Sequence, residues 1–321
     1  MVSEERSELC GAVLDKRYHL GCCIGVGGTG VVFEAWRIEN GEPVVVKALR
    51  PVYAYKRDLL TRLRREAEVA TQVPHAGIVP IYDEGTLPDG SPYLVMKRMS
   101  SESLSHLLRR RGTLGVRETS AIALRVTDIL HAVHAEGYVH RDIKPEHILL
   151  DRTPSGELSV FLLDFGVCAA STAPADERER ERGRVFGTPS YVSPEQAAGD
   201  PDVDGRADIY GLGVLMYECL SGKVPFAANS VSNLLRRIIR EDAPPISTLT
   251  AQAGPEIEAV LERTVARFPE HRFSSARALG RALRPLIGTR ATVERDLASV
   301  LRVKGDALPS HGRALDDASA A

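Results

Sequence analysis

The sequence predicts an α+β fold, with a small β-rich part ahead of a larger helical one. Two observations carry this. Short β-branched and aromatic runs, Leu20 to Ile24, Val31 to Trp36 and Pro43 to Leu49, crowd the first third around a glycine cluster and an Asn40-Gly41 turn. Further along, apolar residues recur at helical spacing instead, as in Ile122, Val126, Ile129, Leu130 and Val133.

Taken in order, the strands around the glycine cluster are followed by a helix from Lys56 to Gln72, with Leu59, Leu63, Ala67 and Ala70 on one face and Pro74 ending it. Strands at Ile78 to Tyr82 and Tyr93 to Met96 flank the turn Pro88-Asp89-Gly90. The join between the two parts falls near Lys97 to Met99. The helix carrying Ile122 closes at Gly137, a C′ glycine. Short strands follow at Ile148 to Leu150 and Val160 to Leu163. Helices are expected at 205–221, 230–240, 255–267 and 274–286, with Pro255 at the first position of its helix. Beyond Leu286, Val293, Leu297, Val300 and Leu301 suit one more amphipathic helix over 292–303, and Pro309 to Ala321 reads as disordered. No internal repeat is visible.

Composition bounds the function. With 321 residues, 43% of them hydrophobic, the chain can fill one large domain or two lobes. Its net charge of −2 implies no nucleic-acid partner. The five cysteines, Cys10, Cys22, Cys23, Cys168 and Cys219, match no zinc spacing and read as reduced thiols. No run approaches the ~18–20 apolar residues of a membrane helix, and the start, with Glu4, Glu5 and Glu8, lacks the apolar stretch of a signal peptide. A cytoplasmic protein without a membrane partner is expected.

Three motifs carry chemistry. Gly25-Val26-Gly27-Gly28-Thr29-Gly30-Val31-Val32 lets backbone N–H groups approach phosphate oxygens with no Cβ in the way. A strand follows the last glycine, which argues against a dinucleotide-binding turn and leaves a hairpin lying over a nucleotide or a structural turn without a ligand. Lys47 ends the apolar strand Val44-Val45-Val46, where a cation is costly without an anionic partner. Glu66 and Glu68 on the next helix are the candidates. His140-Arg141-Asp142-Ile143-Lys144-Pro145-Glu146-His147 and then Asp164-Phe165-Gly166 place two aspartates at strand ends, suited to metal and phosphate handling.

In this order the motifs resemble those of a eukaryotic-like, bacterial-type Ser/Thr protein kinase. The likeness covers about 18–286 and extends to Gly187-Thr188-Pro189, Ser193-Pro194-Glu195 and Asp208-Ile209-Tyr210-Gly211-Leu212-Gly213. It implies a two-lobed kinase fold: an N-terminal extension over 1–17, a small lobe over about 18–97 with a five-stranded sheet and one helix, a large helical lobe over about 98–286, and a tail over 287–321. It also implies ATP-dependent phosphorylation of protein Ser/Thr hydroxyls with Mg²⁺. By resemblance Gly25, Val26, Gly27, Gly28, Gly30 and Val32 cover the nucleotide, and Met96 guards the back of the adenine pocket. Lys47, paired with Glu66, holds the α- and β-phosphates. Asp142 orients the substrate hydroxyl and accepts its proton, Lys144 touches the γ-phosphate, and Asp164 binds Mg²⁺. Glu195 with Arg272, and Asp208 under the His140-Arg141 backbone, take structural roles. Lys144 with Gly187-Thr188 favours Ser/Thr over Tyr.

Two departures stand out. His147 occupies the position of the family's metal-binding Asn, and imidazole suits softer ions than Mg²⁺. Two readings stay open: a slower or Mn²⁺-preferring enzyme, or a nucleotide-binding scaffold without useful turnover. Second, no Ser, Thr or Tyr lies between Ala173 and Gly187, where relatives carry a phosphorylated Thr that pairs with the arginine equivalent to Arg141. The run from Asp176 to Arg182 is either a solvated charge run or supplies Glu179 or Glu181 in place of the phosphate. Ser171 and Thr172, just before this run, are candidate sites of phosphorylation. With no sensor domain or anchor following in this sequence, regulation is expected from a partner, a homodimer or this segment.

Overall fold

The computed structural model describes residues 9–27, 29–99, 102–153, 155, 157–170, 179 and 181–301, without the side chains of 290, 291, 299 and 300. A six-stranded antiparallel sheet comes first: β1 (Val13–Leu14), β2 (Tyr18–Val26), β3 (Gly30–Arg37), β4 (Pro43–Leu49), β5 (Ile81–Thr86) and β6 (Pro92–Lys97), in the order β1-β2-β3-β4-β6-β5. The strand beyond the five expected is β1, which pairs Val13 with His19 and Leu14 with Tyr18. Its turn places Asp15 and Lys16 at φ 48° and 57° without a glycine, so the usual hairpin signature is missing. The strand expected from Ile78 begins at Ile81. Ile78 instead bridges to Leu162, tying the two lobes together.

Alternation along β3 and β4 buries Val31, Phe33, Ala35, Val44, Val46 and Ala48 in one small core with Tyr18, Leu20 and Tyr93. Each such apolar side chain contributes about 1.5–3 kcal/mol. Helix α1 (Arg57–Gln72) crosses the sheet. Its buried residues are Leu63, Glu66 and Val69, so a carboxylate sits in the middle of its inward stripe.

The large lobe follows: β7 (Glu102–Ser103), α2 (Leu104–Arg111), α3 (Val116–Ala135), β8 (Tyr138–Val139), β9 (Ile148–Arg152), β10 (Leu158–Leu162), β11 (Ala169–Ala170), α4 (Pro194–Ala197), α5 (Arg206–Ser221), α6 (Val231–Arg240), α7 (Pro255–Thr264), α8 (Ala276–Ile287) and α9 (Arg290–Val300). Helices α3 and α5 are buried along most of their length and form the centre of this core. Gly137 takes φ 78° just past α3, as a C′ residue does. The terminal helix expected over 292–303 spans Arg290–Val300. It is docked on α3 by a two-pronged ion pair, Arg125 to Glu294 at 2.9 and 2.8 Å, with Val293 and Leu297 buried beside it. Ser171, Thr172 and the segment from Pro309 lie outside the described residues.

No helix among the described residues is long and apolar enough to cross a membrane. All five cysteines are free.

Candidate active site

The β2–β3 hairpin carries the glycine loop, with Gly25 opposite Val32 and Val26 opposite Val31. Its tip closes through Gly27 N–H donating to the Gly30 carbonyl at 2.8 Å. Gly28 lies outside the described residues. Val32 also pairs with Lys47 on β4, so the hairpin and the lysine share one register. Met96 on β6 pairs with Val45 and Ile81 and packs against the Leu49–Leu63–Leu94 cluster beneath α1.

Lys47 Nζ donates to both oxygens of Glu66, at 2.9 and 2.7 Å, and to Asp164 Oδ1 at 3.3 Å. Glu68 is elsewhere, accepting from the Tyr138 hydroxyl at 2.9 Å. Burial would lower the pKa of the Lys47 ammonium, but the Glu66 and Asp164 carboxylates outweigh it and hold it above the ordinary lysine range. Burial likewise opposes the charge on Asp164. Lys47, joined below about pH 4 by the protonated His147 ring, overcomes it and holds that carboxyl well below its usual range.

The cluster over residues 140–147 and 164–166 is fixed by a backbone device. Arg141 and Asp164 both adopt left-handed φ, 67° and 62°, which costs about 1–3 kcal/mol each. Asp208 meets this at Arg141: its carboxylate accepts from the N–H groups of His140 at 2.8 Å and Arg141 at 2.7 Å, and His134 Nε2 lies 2.7 Å away. Phe165 packs edge-on against His140, with ring centroids 4.9 Å apart, below α1. Glu195 and Arg272 form the expected buried pair at 2.7 and 2.8 Å.

Asp142 has both oxygens engaged. Oδ2 accepts from Lys144 Nζ at 2.8 Å, and Oδ1 accepts from the Thr188 N–H at 2.7 Å and hydroxyl at 2.8 Å. Burial opposes its charge, but His147, Lys144 and Thr188 together keep its pKa below the usual value. In the sequence, Thr188 bears only on the preference for Ser/Thr over Tyr; its two bonds to Asp142 are not foretold there. Gly187 makes its position reachable: φ is 101°, and a Cβ there would lie 2.6 Å from the Arg141 carbonyl.

His147 lies between the two aspartates. Its Nδ1 is 2.9 Å from the Asp142 backbone carbonyl. A carbonyl only accepts, so Nδ1 carries the proton. Burial, against the pull of Asp164 and Asp142, lowers the pKa of His147 to about 4, leaving the ring neutral near pH 7. Its Nε2 is then a bare lone pair, 3.4 Å from Asp164 Oδ2. Two acceptors facing each other suit a shared cation. One carboxylate with one imidazole nitrogen is a donor set that fits a divalent ion.

Of the two candidate carboxylates in the charged run, Glu181 meets Arg141 Nη1 at 2.6 Å, whereas Glu179 pairs with Arg182. The Arg141 Nε is buried with no hydrogen-bond partner among the described residues. Phe186 sits under the guanidinium groups of Arg141, Arg62 and Arg184, at 5.8, 5.6 and 5.2 Å from its centroid.

The family model described as a protein kinase domain matches residues 18–282. The chain belongs to the protein kinase family. Serine/threonine-protein kinase PknL of Mycobacterium tuberculosis is 34% identical over 276 residues, 86% of this kinase chain and 67% of the relative. Serine/threonine-protein kinase PknB of Mycolicibacterium smegmatis is 34% identical over 266 residues, 82% of this chain and 42% of the relative. The pkn3 kinase of Myxococcus xanthus is 31% identical over 281 residues, 87% of this chain and 51% of the relative. This kinase chain thus groups with bacterial serine/threonine-protein kinases and has the family's β-rich small lobe and helical large lobe.

Proposed function

We propose that the chain transfers the γ-phosphate of ATP to Ser and Thr hydroxyls of protein substrates in the cytoplasm. The observation that supports this best is an unbroken series of contacts: Lys47 to Asp164, Asp164 to His147, His147 to Asp142, Asp142 to Lys144, and Lys144 to Thr188, at 3.3, 3.4, 3.5, 2.8 and 2.7 Å. In this reading the backbone of Gly25, Val26, Gly27, Gly28, Gly30 and Val32 covers the phosphates, and Met96 borders the adenine. Lys47, held by Glu66, meets the α- and β-phosphates. Asp164 and His147 would hold a divalent ion, Mg²⁺ or Mn²⁺, whose positive charge would offset that of the phosphates.

Asp142, kept ionised by its three donors, is a weak base before reaction. It orients the substrate hydroxyl, then takes its proton once bonding to phosphorus has acidified it. Lys144 stays beside the same oxygens and offsets charge on the γ-phosphate. Labelled ATP with Mg²⁺ or Mn²⁺ tests the reading. Label is expected on protein incubated with the unaltered chain, and a drop on the order of 10²–10⁴ with Asp142→Asn, with Lys47→Met as a second control. Thermal stabilisation by ATP without any label would overturn it.

That outcome is the second reading, a nucleotide-binding scaffold acting through a regulatory partner or a homodimer. His147 is the one observation that favours it, because imidazole is a poor ligand for Mg²⁺. In either reading, Glu181 takes the place of an activating phosphate on Arg141, with Ser171 and Thr172 as separate sites of modification.

A further inference from the structure

Arginines on this surface are commonly paired: Arg110 with Glu102, Arg111 with Glu118, Arg206 with Asp204, and Arg237 with Glu241. Arg277, Arg281 and Arg284 on α8 differ. All three are exposed, and among the described residues none has an ion-pair or hydrogen-bond partner. Their spacing puts them on one helix face, spread over about 10 Å. Helix α8 contains no acidic residue, so the repulsion between like charges at these spacings has no compensation within the helix. The whole chain is slightly acidic, at −2, so the cluster is local rather than a result of composition.

The cluster also frames a cavity. Gly280 brings α8 against α3 so closely that a Cβ there would lie 2.8 Å from Thr127 Oγ1. Beside that contact the three arginines rim a space of about 550 Å³ whose other wall is Leu124, Asp128 and His131 of α3. Asp128 is the single carboxylate on the lining. No residue of this cavity belongs to the Lys47–Asp142 cluster.

We propose that this cavity binds a linear anion with several phosphate charges, a condensed phosphate chain of three or more units. Each guanidinium presents a planar fork that matches phosphate oxygens. Three of them over about 10 Å exceed what one phosphate can span, and the row calls for charge repeated along a chain. His131, on the facing wall, adds a further donor.

Calorimetric titration of the full chain with tripolyphosphate tests this, with and without saturating ADP and Mg²⁺, because the nucleotide site also accepts phosphates. One equivalent is expected to survive ADP, to weaken at least tenfold between 50 and 500 mM NaCl through screening, and to vanish in Arg281→Gln/Arg284→Gln. That variant should keep its melting temperature and ADP affinity. Arg277→Gln, at the far end of the row, should give a smaller loss in the same direction. Absence of an ADP-resistant equivalent, unchanged binding in the variants, or sulfate binding as tightly as tripolyphosphate would each overturn the proposal.

Discussion

The two oxygens of Asp164 face opposite kinds of neighbour. Oδ1 meets the Lys47 ammonium, itself clamped by Glu66, whereas Oδ2 meets the bare Nε2 of a neutral His147. The first side is electrostatically complete without a ligand: a half-buried cation has its carboxylates, and removing the lysine leaves the buried Glu66 uncompensated. The second side is incomplete, because two acceptors gain nothing from each other until a cation arrives. One aspartate thus joins a corner that contributes to folding and a corner that needs a ligand, and substitutions on its two sides should fail in different ways.

The largest difference is expected in stability. Lys47→Met leaves Glu66, 7% exposed, buried without a partner. A loss of about 3 kcal/mol follows from the cost of stranding one member of a largely buried pair, read by denaturant unfolding. Lys47→Met/Glu66→Met should recover most of it, since an apolar pair leaves no charge behind. If the double variant is as unstable as the single one, the first corner is not the self-contained ion pair described above. His147→Asn, by contrast, should change stability little.

This contrast separates what the sequence revealed from what it did not. That Lys47, Asp142, Lys144 and Asp164 come together was legible because each lies in a short motif whose order is distinctive. Glu66 was preferred to Glu68 only through the family resemblance, and the buried stripe of α1 carries it toward Lys47. The strand β1 was not legible, since its turn uses Asp15 and Lys16 instead of glycine. Nor was the Thr188 clamp, which joins positions 46 residues apart, or the docking of α9 through Arg125 and Glu294, 169 residues apart. Contacts of that range follow from tertiary packing, which local pattern does not encode.

The second corner should show itself in metal choice. An imidazole nitrogen favours Mn²⁺ relative to Mg²⁺, and an amide oxygen reverses that preference. His147→Asn is expected to lower the Mn²⁺/Mg²⁺ ratio of single-turnover phosphotransfer by about tenfold, in line with the 10–100-fold effects of altering a metal's surroundings. An unchanged ratio would remove His147 from the metal's ligands and leave it as packing between the two aspartates.

The smallest expected effect lies farther out, where Glu181 meets Arg141. This pair is intermediate between the two corners: Arg141 is nearly buried, at 4% side-chain exposure, but Glu181 is 31% exposed. The carboxylate engages Nη1 and leaves Nε without a partner, so it satisfies only part of what a phosphate with three acceptor oxygens could. The segment should therefore be held, but less firmly than by a phosphate. Glu181→Gln keeps the shape and removes the charge. A decrease of about threefold to tenfold in phosphotransfer is expected, equivalent to about 0.7–1.4 kcal/mol, with nucleotide affinity unchanged because Lys47 and Asp164 are not touched. Glu179→Gln serves as the comparison, since among the described residues Glu179 pairs with exposed Arg182 and not with Arg141. Equal activities for the two variants would return the whole charged run to the solvent and leave Arg141 without a resident anion.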